Sequence, residues 1–303
     1  MRVLVTGSEG FLAARLISTL RIDPRISEIR RFDRALGHDL RDSRAVAAAV
    51  ADCARIYHLA FVTGATAARD WAGALETNIV GTANLLAACA RLAHAPVFVF
   101  ASAVAVYGPT PDGIVDDDTP ATGTGPYASA KRALEILIAD AARSGRVDGR
   151  SIRLPTTMVR PARTEPTTAG FLSDLVVARA NGRDFEAHLP LDTPVAVAGL
   201  RRTVRALRVA GEAEGAAFGP ARVAGLPTIA ASARAVMAAC DRVLGPRPGA
   251  VVERPDARVQ ALIATWPQVV RSARASALGL DADETLDDIV RRYRDDPDGV
   301  QNP

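Results

Sequence analysis

Hydrophobic and polar positions in the first half of the chain alternate between two periods. Arg2-Val-Leu-Val-Thr6 reads as a short buried strand. Gly10 to Leu20 then carries Phe11, Leu12, Leu16, Ile17 and Leu20 at helical spacing. The alternation predicts a strand over Ile26 to Phe32, a helix over Ser43 to Val50 and a strand over Arg55 to Leu59. A long helical stretch follows, from about Ala67 to Leu92. The very apolar Pro96 to Ser102 predicts a fourth strand, Pro126 to Arg143 a helix and Arg150 to Leu154 a fifth strand. Continuous apolar strands alternating with amphipathic helices predict a parallel sheet covered on both faces. Right-handed crossovers make it a doubly wound α/β sheet.

After Pro155 the pattern changes. Pro161 to Thr168 is rich in Pro and Thr and reads as a loop, and Ala169 to Ala180 as a helix. A break at Pro190 to Pro194 precedes expected helices over Thr203 to Val209, Ser232 to Leu244, Arg258 to Ile263 and Asp283 to Tyr293. The polar end of the chain is expected to fray. The pattern divides the chain into a first domain over residues 1–160 and a smaller lobe over 161–303, some segments of which return to the first domain. The lobe is expected at the carboxyl edge of the sheet, where open α/β sheets bind ligands.

The chain has 303 residues, 49% of them hydrophobic and 23% charged, as in a soluble globular protein. With 37 basic against 34 acidic residues, the balance is too even for a nucleic-acid partner. The longest apolar run, Ala95 to Tyr107, is too short for a membrane helix. Strand-like sequence from Arg2 leaves no room for a signal peptide, and Cys53, Cys89 and Cys240 show no CxxC, so a cytoplasmic protein with free thiols is expected. His38, His58, His94 and His188 lack metal-binding spacing, so no metal site is expected. The basic residues are unevenly divided: Lys131 is the only lysine, and the rest are arginine.

Two constellations carry chemistry. Thr6-Gly-Ser-Glu-Gly-Phe-Leu-Ala13 lies between a predicted strand and a predicted helix. Gly7 permits a tight turn, and Gly10 lets backbone approach a pyrophosphate at the helix N-terminus. Glu9 is expected to point to solvent. Asp33, after the second strand, can accept from an adenosine ribose 2′-OH and favours NAD. Arg34 beside it offers a partner for a 2′-phosphate, so NADP is the second choice. The other constellation is Tyr127-Ala-Ser-Ala-Lys131, one helical turn from phenol to ammonium. A nearby cation lowers a tyrosine pKa, and such a tyrosine can pass a proton to or from a carbinol or carbonyl oxygen. A chain that otherwise uses arginine keeps lysine only here, where a planar guanidinium would not replace it.

Together these residues resemble the extended short-chain dehydrogenase/reductase family, the NAD-dependent epimerase/dehydratase group. The resemblance extends through Asp39-Leu-Arg-Asp42, His58-Leu-Ala60, Asn78-Ile-Val-Gly-Thr82 and Val104-Ala-Val-Tyr-Gly108. Segments 147–161, 169–171 and 282–296 are similar to its D-erythronate dehydrogenase subgroup. The resemblance implies a Rossmann-type domain with a substrate lobe, and hydride transfer between nicotinamide C4 and a secondary alcohol or ketone. Tyr127 would be general acid/base, and Lys131 would lower its pKa and hold the nicotinamide ribose. Cofactor contacts would come from Gly7, Gly10, Phe11, Leu12, Asp33, Asp39, Leu40, Leu59, Ala60, Tyr127, Lys131 and Pro155. A homodimer is implied, with the helices of 67–92 and 126–143 pairing across a four-helix bundle. Asn78 is read as structural.

One position departs from the pattern. The family places a Ser or Thr, which bonds the substrate oxygen, four residues before the Val-Tyr-Gly tyrosine; here that position is Ala103. Ser102 adjoins it, but successive strand residues point to opposite faces. Three accounts fit: a slow or donor-substituted dehydrogenase with Thr63 or Thr156 supplying the hydroxyl; epimerisation or non-redox chemistry on a specialised metabolite; or a cofactor-binding protein with little turnover. The subgroup's substrates are small hydroxy acids, and a carboxylate calls for arginine, for which Arg160 and Arg201 are the candidates.

Overall fold

The structure is a computed structural model describing residues 1–160, 170–283 and 285–296, the side chains of 64, 65 and 68 aside. The expected loop over Pro161 to Thr168 and most of the polar end lie outside the described residues. The chain runs through β1 (Arg2–Thr6), α1 (Phe11–Arg21), β2 (Glu28–Phe32), α2 (Ser43–Val50), β3 (Cys53–His58), α3 (Gly64–Arg69), α4 (Trp71–Leu75), α5 (Gly81–Cys89) and β4 (Val97–Ala103). It continues through β5 (Ile114–Val115), α6 (Pro126–Arg143), β6 (Asp148–Leu154), β7 (Thr156–Met158), α7 (Phe171–Ala180), β8 (Phe185–Ala187), β9 (Val195–Gly199) and α8 (Leu200–Glu212). Last come β10 (Val223–Gly225), β11 (Ile229–Ala231), α9 (Ala233–Leu244), β12 (Val251–Glu253), α10 (Ala257–Ile263), β13 (Val269–Val270), α11 (Ala273–Ala277) and α12 (Leu286–Asp295).

Two compact units result. One comprises Met1–Val106, Thr124–Arg153 and Val204–Ala224; the other comprises Tyr107–Gly123, Leu154–Thr203 and Gly225–Pro303. The first is built on a six-stranded sheet of order β10-β6-β4-β3-β1-β2. β1 lies parallel to both β2 and β3, and β3 parallel to β4. The strand order reverses beside β1, as a doubly wound sheet requires. Leu4, Ile56, Phe98 and Phe100 from three strands, with Leu85, Leu134 and Ile138 from the covering helices, form one core cluster. These strands are buried on both faces, which is why they read as unbroken apolar runs.

Two features depart from the periodicity. The stretch over Ala67 to Leu92 is not one helix. Asp70 stops α3, and its carboxylate accepts from the Gly73 N–H at 2.9 Å to start α4. Glu76 to Val80 then forms a π turn before α5. The second unit also carries strands that no pattern announced. β7 pairs parallel with β9 and β11 antiparallel with it, while β12 pairs with β8 and β13 with β5. Its core joins Leu172, Leu175 and Val176 of α7 to Val236 and Cys240 of α9 and to Ile289 and Val290 of α12. Among the described residues no helix is long and apolar enough to cross a membrane.

Candidate active site

At the end of β1 the chain turns through Gly7, whose φ of 68° lies in the left-handed region. A Cβ there would sit 2.6 Å from the Ala60 amide nitrogen, so neither backbone nor space admits a side chain. Gly10 opens α1, which has no side-chain cap and no acidic residue in its first turn. Those first-turn N–H groups suit an anion. A cavity of about 400 Å³ opens on this turn. Of the expected residues, Gly7, Gly10, Asp33, Asp39, Leu40, Leu59, Ala60 and Thr63 line it. Phe11 and Leu12 are the half-buried first residues of α1.

Asp33 joins the turn to the end of β2. One carboxylate oxygen accepts from the Glu9 N–H at 3.1 Å and the other from the Ala35 N–H at 2.9 Å. A carboxylate offers about four lone-pair sites, so both oxygens keep acceptor capacity toward the cavity. Glu9 is exposed, but its carboxylate folds back onto Arg31 at 2.6 Å. The cavity wall also holds Arg34, Phe32 and His38. The His38 ring stacks on Phe32 at 4.9 Å, and its Nδ1 is buried with no hydrogen-bond partner among the described residues. Neither ring was singled out by the sequence.

Behind the wall a directed chain of hydrogen bonds fixes His58. The Thr82 hydroxyl donates to the Asn78 carbonyl, so it accepts from His58 Nε2 at 2.8 Å. The other ring nitrogen, Nδ1, then accepts from the Thr6 hydroxyl at 2.7 Å, and that oxygen accepts from the Ala60 N–H at 3.2 Å. One donor and one acceptor suit a neutral imidazole. Burial, with the Lys131 charge second, pulls the His58 pKa down to about 3. Asn78, within the π turn, accepts from the Val62 N–H at 2.8 Å and donates to the Val62 carbonyl at 3.0 Å.

Tyr127 and Lys131 stand one turn apart at the start of α6. Lys131 is 4% exposed, and its ammonium donates to the Ala101 carbonyl at 2.6 Å. The Phe61 ring covers it, with Nζ 3.7 Å from the centroid; the Phe100 and Tyr127 rings lie at 4.6 Å and 5.7 Å. Burial lowers the Lys131 pKa to about 7, against a raising pull from Glu135. Tyr127 is half-buried and meets Phe61 edge-on at 5.5 Å.

Ala103 ends β4 with a methyl group. The neighbouring Ser102 hydroxyl is committed elsewhere, donating to Glu135 at 2.6 Å. That carboxylate also receives Arg153 at 2.8 and 3.0 Å. Such a doubly bonded buried carboxylate is a costly partner to abandon. Pro155, Thr156, Arg160 and Arg201 belong to the second unit. Pro155 and Thr156 are buried there, Arg160 donates to the Thr157 carbonyl at 3.4 Å, and Arg201 is exposed on the first turn of α8.

The fold and the glycine turn are those of a Rossmann-type dinucleotide-binding protein. The profile of the NAD dependent epimerase/dehydratase family matches residues 3–203, and the chain belongs to that family. It is 32% identical over 322 aligned residues to a D-erythronate dehydrogenase of Cupriavidus necator, covering 98% of each chain. A nucleoside-diphosphate-sugar epimerase of Agrobacterium tumefaciens shares the fold with a TM-score of 0.90 at 22% identity, over 98% of this chain and 94% of that one. A UDP-glucose 4-epimerase of Thermus thermophilus in complex with NAD superposes with a TM-score of 0.77 at 22% identity, over 97% and 99%.

Proposed function

We propose that the chain interconverts a secondary alcohol and a ketone on a small hydroxy acid of the D-erythronate kind, using NAD. The observation that carries this is the sole lysine, buried one turn from Tyr127 against the ring of Phe61, a residue that lines the cavity. The site suits the dinucleotide: the Gly7 turn and the uncapped start of α1 would hold the pyrophosphate, and Leu59 and Ala60 would line its path. Asp33, with acceptor capacity toward the cavity, would take a ribose 2′-OH and repel a 2′-phosphate, which favours NAD over NADP. A bound nicotinamide would supply the hydride acceptor or donor. Tyr127 takes the proton from the carbinol oxygen, or returns it to the carbonyl. The Lys131 cation stabilises the phenolate, and Glu135 supports that cation from inside the fold. Thr63, Thr156, Arg160 and Arg201 are the candidates for holding substrate oxygens and its carboxylate.

A second reading rests on Ala103 and on the Ser102 hydroxyl held by Glu135. Without the expected hydroxyl, the chain would bind cofactor but turn over slowly, or perform epimerisation or non-redox chemistry. Nicotinamide absorbance with D-erythronate and related hydroxy acids separates the two. The dehydrogenase reading expects NADH formation that falls at least about 100-fold in Tyr127→Phe. It also expects Lys131→Arg to lose cofactor affinity or turnover where surface arginine changes do not. Tight NAD binding with no NADH from any hydroxy acid favours the second reading. Three buried free thiols suit a reducing, cytoplasmic setting.

A further inference from the structure

We propose that Phe61 is a positioning residue for Lys131, its ring covering the ammonium until the nicotinamide ribose displaces it. This rests on the cofactor reading above. An ammonium has three N–H groups; around this one lie the Ala101 carbonyl at 2.6 Å and the Phe61, Phe100 and Tyr127 rings at 3.7, 4.6 and 5.7 Å. A ribose hydroxyl must come within about 3.2 Å of Nζ to bond it. Phe61 is a lining residue of the cavity and its ring lies against Nζ, so a ribose hydroxyl reaching Nζ over that face has to move the ring. A desolvated ammonium–ring contact is favourable in its own right, so the ribose has to replace it.

The backbone cannot yield easily, because Asn78 holds both the N–H and the carbonyl of Val62, the next residue. Opening is therefore a rotation of the Phe61 side chain. The same ring meets Tyr127 edge-on at 5.5 Å, so its rotation changes the packing of both residues of the pair.

The composition provides a direct test. Lys131 is the only lysine, so a pulse of trinitrobenzenesulfonate followed by peptide mass spectrometry reads its accessibility, with the Met1 amine counted separately. In full-length Phe61→Ala, labelling is expected to quicken roughly tenfold. NAD should bind roughly tenfold tighter by calorimetry, equivalent to about 1.4 kcal/mol. Phe61→Leu keeps apolar bulk without a π face, and it serves if the alanine variant fails to fold. It is expected to move both readouts the same way by roughly threefold, the weaker effect of losing the ring face alone. If NAD binds the wild type but either readout is unchanged or reversed in the folded variant, Phe61 is a wall and the proposal is overturned. If NAD binds none of the proteins, the cofactor reading falls and takes the proposal with it.

Discussion

Ala103 replaces a hydroxyl by a methyl at a position where the family resemblance expects a donor to the reacting oxygen. Ser102 does not compensate, because its hydroxyl and Arg153 jointly satisfy the buried Glu135 carboxylate. Losing one such donor costs roughly 100- to 1,000-fold in rate, so Ala103→Ser is expected to raise kcat by that order. Steady-state NADH formation is the check, and an unchanged kcat would remove this position from the chemistry. Ser102→Ala is expected to cost stability instead, about 1 to 3 kcal/mol from an under-satisfied carboxylate. His58 makes a prediction in pH. Its folded pKa is about 3 against an ordinary 6.5. Between those values the unfolded chain binds a proton that the folded chain refuses. Stability is therefore full above pH 6.5 and is lost as pH falls toward 3. From pH 6.5 to 5.5 the loss is about 1 kcal/mol. Denaturant titrations at the two pH values should show it in the wild type, and His58→Gln should flatten it.

The irregular helical region over residues 64–89 shows what periodicity conceals. A π turn places one extra residue in the helix. Here Asn78 lies within it and holds the Val62 backbone, and the Thr82 hydroxyl donates to the Asn78 carbonyl. Asn78→Ala removes two hydrogen bonds and leaves a half-buried peptide unpaired. The expected cost is about 2 kcal/mol. Denaturant titration checks it; unchanged stability would refute the structural role. The sheet of the first unit was legible because strands buried on both faces are written as apolar runs, such as Val97 to Ala103. Most strands of the second unit, five-residue β9 aside, were not, since β5 and β13 have two residues each and β7, β8 and β11 three. Runs that short hold no period. Gly7, Asp33, Tyr127 and Lys131 could be named as candidates from the sequence because each proposed role calls for a particular residue at a particular offset. Phe61 and His38 could not, because what an aromatic ring covers is decided by tertiary packing and leaves no spacing to read.

At the scale of the whole molecule, several large apolar side chains of the first unit are exposed, four of them on α4, the π turn and α6. Trp71 is 58% exposed, Val80 50%, Ile136 58% and Leu137 43%. Single exposed apolar side chains are ordinary. These four lie on α4, on the π turn and on the outer side of α6, and α6 packs beside the π turn and α5. A contiguous apolar patch would mark an interaction surface, and a second copy of the chain is the partner that the family resemblance implies. The helices would then meet their symmetry mates across a two-fold axis, each patch covering the other. Ile136→Glu with Leu137→Glu puts four like charges into such an interface and none into the core, since both positions face outward. Light scattering is expected to give twice 31.8 kDa for the wild type and 31.8 kDa for the double variant, with the thermal transition of the variant retained but lowered. A wild type that is monomeric at micromolar concentration would refute the dimer. A double variant that stays dimeric would move the interface to another face. The four exposed side chains near α6 would then be ordinary surface, and the Tyr127 site on the same helix would work without help from a partner.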